Sequence, residues 1–201
     1  TRIEFSLDQT KLVNEKPTQG DLGIKQPFVV AAGDPHRSVL YHRMAKLGPG
    51  RMPHFGSQVV DEKGLALIRQ WIANLPHDGL APTAVTSAKA LKEFRAGKIG
   101  AIEKLLARPE SALLLADAIT GKNLGQNHIR AAIAEAARNE SSLVRDLFLR
   151  FQERPNNGRR LGLSPTPAEI LALPGDVKRG RAIFRRAVIL CINCHRAEGQ
   201  G

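Results

Sequence analysis

Cysteine is nearly absent from this 201-residue chain: there are two, and both fall in one short stretch near the end. No second cysteine pair exists to complete a structural zinc site, which takes about four N or S ligands. Long apolar runs are missing as well. No segment approaches the about 20 apolar residues that a transmembrane helix needs, and the opening TRIEFSLDQT lacks the apolar run of a signal peptide. Aromatic residues make up 4% of the chain. No basic stripe with interleaved aromatics and no zinc finger is found, so nucleic acid is not an expected partner. Also missing are a catalytic acid–base pair, a nucleophile–base pair and a phosphate loop; the GPG at residues 48–50 is not a phosphate fingerprint. Acid is in short supply, with 19 Asp and Glu against 30 Lys and Arg and a net charge of +11. That surplus suits an acidic partner protein, an anionic membrane surface or a polyanion, or else a solvated basic face with no dedicated partner.

What is present is CINCHRAEGQG at residues 191–201. Cys191, Cys194 and His195 spell C-x-x-C-H, the spacing for covalent attachment of a c-type haem. Two thiols three positions apart each add to one vinyl group on the same porphyrin edge, and the next residue turns its imidazole to the iron as proximal ligand. The competing readings are a structural zinc half-site, a thioredoxin-like C-x-x-C and chance. A redox motif of the second kind opens a long helix after a buried strand, whereas HRAEGQG, with two glycines, is poor helix material. The motif absorbs every cysteine of the chain.

Along the rest of the chain the patterning is mainly helical. Residues 1–32 read as irregular or strand-like, with EFSLDQT and FVVAA as extended candidates. GDPHRSVLYHRMAKLG reads as a helix with Asp34 as N-cap, Pro35 at the first helical position and Gly48 closing it. DEKGLALIRQWIANLP makes a second helix with Asp61 as N-cap; Leu65, Ile68, Ile72 and Leu75 share one face, with Trp71 beside them as a further core residue. Residues 77–87 read as a linker. Residues 88–151 are helical throughout, broken by short Pro, Gly or Asn-containing turns, in the manner of a HEAT or armadillo array without a convincing repeat. In its last helix Leu143, Leu147 and Phe151 line up, with Val144 and Phe148 next to them. RPNNGRRLGLSP is a loop. Thr166, Pro167 and Glu169 then form a capping box, and Asp176 caps the helix that carries Gly180 and Phe184 on one face.

Asp176, Gly180, Phe184, Cys191, Cys194 and His195 follow the pattern G-D-x-x-x-G-x-x-x-F leading into C-x-x-C-H. In this the segment ILALPGDVKRGRAIF and its continuation to CINCHRAEGQG resembles the opening of the haem-binding domain of the Pirellula/Verrucomicrobium type, a cytochrome c-like module. The preceding SSLVRDLFLRFQERPNNGRRLG is also similar to what stands before that module. A second resemblance lies near the start, in G-D-P-x-x-S-x-L-x-x-R, then Met-Pro in a loop, then a helix ending in Trp-Ile. It is similar to the C-terminal half of another cytochrome c-like domain, whose loop methionine is the distal iron ligand. Here that residue is Met52. Pro53 disfavours the α conformation at Met52, which places a thioether on a stiff loop; the plain alternative is a core-filling methionine. Met44, inside the preceding helix, reads as packing. In class I cytochromes the methionine follows C-x-x-C-H, so Met52 is assigned to a different, upstream haem. His36, His42, His54, His77 and His128 are further sixth ligands on paper, each read as a surface or capping histidine.

The expected organisation is therefore mainly α. Residues 1–79 are the C-terminal half of a cytochrome c-like domain with its Met loop. Residues 80–162 are an α-helical, HEAT-like connector, and residues 163–201 open a second c-type haem domain. Thr1 in place of Met, and an end directly after the motif, suggest a piece of a longer chain. The resemblance implies haem c, electron transfer to a redox partner protein of acidic character, and a periplasmic location, since c-type haem is attached outside the bacterial cytoplasm. It leaves the enzyme question open, because such modules are appended to larger dehydrogenase-like proteins. The alternative is an α-helical interaction scaffold in which the cysteines form a disulfide or a metal half-site.

Overall fold

The computed structural model describes residues 12–53, 59–152, 168 and 171–185. Contacts divide the chain into two compact units: Lys11–Gln152, and a second unit of which residues 168 and 171–185 are described. Among the described residues there are eight α-helices and no strands, so the chain is mainly α.

The first unit begins with an irregular segment in which FVVAA, expected to be extended, forms no strand, with Val29 in a bend and Ala32 in a turn. It is held by isolated parallel bridges, Val13 to Val30 and Phe28 to Ser38. EFSLDQT lies outside the described residues. A 3-10 turn, Pro35–Arg37, and α1, Val39–Ala45, occupy the stretch expected as one capped helix. The break falls at Ser38. Asp34 makes no side-chain cap there, because its carboxylate is taken by Arg37 Nε at 2.9 Å. α2, Glu62–Ala73, starts as expected: the Asp61 carboxylate accepts from the Gly64 N–H.

α3, Pro82–Arg95, corrects the linker reading of residues 77–87, since Pro82–Ser87 are its first turns. Thr83, Val85 and Thr86 are weak helix formers and hid its start. Pro82 at the first position and the burial of Ala90, Leu91 and Phe94 further along outweigh them. α4 (Ala101–Leu106), α5 (Pro109–Thr120), α6 (Gln126–Ala137) and α7 (Ser142–Phe148) follow, and a 3-10 turn, Leu149–Phe151, ends the series.

α5 is the hub. Ala112, Leu113, Leu115 and Ala116 are fully buried, so the helix is apolar nearly all round, as a central helix must be. It touches α3, α4 and α7 and also α1 and the first 3-10 turn. Val30, Tyr41, Leu65 and Ile72 therefore belong to the same hydrophobic cluster as Phe94, Leu105, Leu147 and Phe148. At residue 79 the chain changes from irregular segments with two helices to helix after helix, while the core runs on through both. In the second unit the described helix is α8, Val177–Phe184, capped as expected by the Asp176 carboxylate on the Arg179 N–H at 2.9 Å. The capping box at Thr166, Pro167 and Glu169 lies outside the described residues. No helix among the described residues is long and apolar enough to cross a membrane.

Candidate functional site

Cys191, Cys194 and His195 lie outside the described residues, as does His54. Met52 is described, and its loop is built from the end of α1. There Lys46 turns extended, at φ −95° and ψ 161°, while its N–H still donates to the His42 carbonyl. The Lys46 side chain points inward and is 2% exposed. A buried ammonium needs partners, and Nζ has two: Asp146 Oδ2 at 2.9 Å and the Pro49 carbonyl oxygen at 2.6 Å. The Leu47 N–H donates to the Asp146 backbone oxygen at 3.1 Å. Gly48, at φ +77°, lies against the same aspartate; a Cβ there would come within 2.7 Å of Oδ2. Only glycine meets both demands. At the far end the Met52 N–H donates to the Arg43 carbonyl at 2.9 Å, and Arg43 donates to the Gln19 carbonyl at 2.9 Å. Met52 is half-buried and is joined to Pro53 by a cis peptide bond.

Met44 packs half-buried against the core. Trp71 does not join the core: it is 39% exposed, one helical turn from the exposed Leu67, while Leu65 and Ile72 are buried. α2 thus buries one narrow face, and the indole, about 100° around the helix from Ile72, stands at its edge. The histidines sort by environment. His77 Nδ1 accepts from the Gly79 N–H at 3.1 Å, and its ring rests on Gly33. His128 packs edge-on to Phe94 at 5.1 Å. His42 corrects the surface reading, because it is fully buried and neither ring nitrogen has a hydrogen-bond partner among the described residues. Burial first, then the Lys46 and Arg43 charges, push its pKa down to about 3, so it is a neutral imidazole in the core.

His36 belongs to a polar node. Its Nε2 lies 3.1 Å from Asp117 Oδ2, and the Tyr41 hydroxyl donates to the same carboxylate, 2.9 Å from either oxygen. Burial, reinforced by the Asp117 charge, keeps that hydroxyl protonated far above the ordinary phenol range. Near this node Arg150 reaches Glu62 at 3.3 Å; burial raises the Glu62 carboxyl pKa even though Arg150 opposes it. A cleft of about 500 Å³ opens beside His36, walled by Ala66, Ala84 and Leu114 and bordered by Arg69 and Glu110. Glu110 is buried, and its carboxylate oxygens have no partner among the described residues.

Lys46 and Asp117 carry no mark in the sequence that sets them apart. A lysine in the last turn of a helix reads as a complement to its dipole. Asp146 offers a faint signal, a carboxylate one turn after Leu143 inside an apolar stripe. Among the described residues no group of three or more His, Cys, Asp or Glu side chains stands ready to hold a metal ion. No protein-family model, no curated protein and no solved structure matches this chain.

Proposed function

We propose that this chain is a c-type haem-binding, electron-transfer segment of a larger multi-domain periplasmic redox protein. The observation that carries the reading is C-x-x-C-H at Cys191, Cys194 and His195, which uses both cysteines of the chain. The donor set fits the group: two thiols for the vinyl carbons, an imidazole for the iron, and elsewhere a thioether suited to low-spin iron. When bound, the haem supplies a one-electron couple between Fe(III) and Fe(II).

The chain's own residues have separate tasks in this reading. Cys191 and Cys194 tether the porphyrin, so the cofactor stays in place through every turnover. His195 would ligate the iron. Met52 presents its sulfur to a different haem, carried by an upstream segment, and a neutral thioether there raises the potential relative to an anionic ligand. The surplus of 11 positive charges favours encounter with an acidic redox partner, at a rate that falls with ionic strength.

The test is expression into the periplasm with c-haem maturation proteins, followed by a denaturing gel stained for haem. Thioether-linked haem stays on the band, and the Cys191→Ala/Cys194→Ala variant loses it. If a soluble wild-type chain and a C-terminally extended one both stay unstained, the scaffold with a disulfide or metal half-site replaces the haem reading.

A further inference from the structure

We propose that Asp146, on α7, is a positioning residue for Met52: acting through Lys46, it fixes the loop that presents the methionine. This inference rests on the reading of Met52 as a haem ligand.

The argument begins with what the loop lacks. Between Lys46 and Met52 it contains Gly48 and Gly50, at φ +77° and +78°, and glycine is the residue least able to hold a conformation by itself. Its rigidity comes from its anchors. At one end Met52 is tied to α1 through the Arg43 carbonyl. At the other, three contacts converge on one residue. The Asp146 carboxylate takes the Lys46 ammonium, its backbone oxygen takes the Leu47 N–H, and its side chain packs on Gly48. The Lys46 and Asp146 side chains are 2% and 12% exposed, so salt screens their attraction far less than it would on a surface. Lys46 also donates to Pro49 in mid-loop. Charge on Asp146 is thereby transmitted along the loop toward Met52. The helical stretch after residue 79 is then part of the Met52 site rather than a spacer between two haem domains.

The chain contains two methionines, Met44 and Met52, so ¹³C-methyl labelling reads the loop and its parent helix separately, with no haem required. In the 201-residue protein Asp146→Asn and Lys46→Gln are expected to shift and broaden the Met52 methyl signal and leave Met44 within its linewidth. Arg138→Gln, which breaks the exposed Arg138–Glu135 pair, is expected to move neither. If Asp146→Asn does not fold, Asp146→Glu keeps the charge one methylene farther out and reports the same loop. A Met52 signal unchanged in a folded variant overturns the clamp, as does an equal shift of both methionines. In the haem-loaded longer protein, Met52→Ala is expected to abolish the methionine–iron absorption band. Asp146→Asn is expected to weaken that band and raise the affinity for added imidazole several-fold. A spectrum unchanged in Met52→Ala removes the ligand reading, and with it the positioning role, while the methyl signals still report whether the clamp exists.

Discussion

α5 and α8 are both capped or punctuated at their N-termini, yet nine residues of α5 are buried and none of α8. α8 is written by local signals. Asp176 takes up an orphan N–H of its first turn, and the chain from Val177 to Phe184 is helical although Val177 is 81% exposed. α5 has no side-chain cap bond. Its start is set by Pro109, and its stability comes from Leu113, Leu115 and their neighbours, each fully buried leucine contributing about 1.5–3 kcal/mol. The difference teaches that helix formation and core formation are separate events in this chain. A cap marks where a helix begins, and only a helix with partners on several sides builds a core.

The widest test of that contrast is truncation. Leu113→Ala is expected to destabilise the Lys11–Gln152 unit by about 2–5 kcal/mol, read from its urea midpoint. Ile183→Ala in α8, 41% exposed, should stay within about 0.5 kcal/mol. Similar costs at the two sites would erase the distinction. A second test uses protons. With a folded pKa near 3 and an ordinary value near 6.5, His42 binds its proton in the unfolded chain first. Its contribution is therefore fully present above pH 6.5 and is lost as pH falls toward 3, about tenfold in the folding constant per pH unit. His42→Leu should flatten the acid side of the stability profile by that one proton, and an unchanged slope would show that the imidazole is not sealed in the core. The smallest effect separates the caps. Asp61→Ala and Asp176→Ala each remove a bond worth about 1 kcal/mol. The first should lower the unfolding midpoint of its unit. The second should cost amide protection over Val177–Phe184 and leave that midpoint in place.

Much of the fold is legible in the residues. Asp61 and Asp176 marked helix starts correctly because each carboxylate accepts an N–H of the first turn. The spacing of Leu65 and Ile72 marked the buried face of α2. Elsewhere local signals misled. The β-branched residues of PTAVTS disguised the first turns of α3, since helix propensity is weak beside burial later in the same helix. Trp71 follows the hydrophobicity of its neighbours yet stays outside the core, because hydrophobic character says nothing about which side of a helix finds a partner. Asp34 had a better use for its carboxylate than capping, in the guanidinium of Arg37.

The candidate site divides along the same line. C-x-x-C-H is local chemistry, complete within five residues, and the proposal of a covalent haem needs nothing from the fold. The Met52 loop is different. Its glycines and proline are visible in the chain, but the bonds that hold its Lys46 end come from Asp146, 94 positions beyond Met52, which no spacing rule connects to it.

The sequence by itself determined most of the helices, the caps at Asp61 and Asp176 and the mainly α class, because these depend on residues within one or two turns of each other. It also determined the haem motif as a chemical expectation. Tertiary structure alone decided that α5 is the hub, that His42 is a neutral core residue, and that Lys46 finds Asp146 across the fold. A buried charge or imidazole takes its character from neighbours distant in sequence, and the chain reveals them only once it has closed on itself.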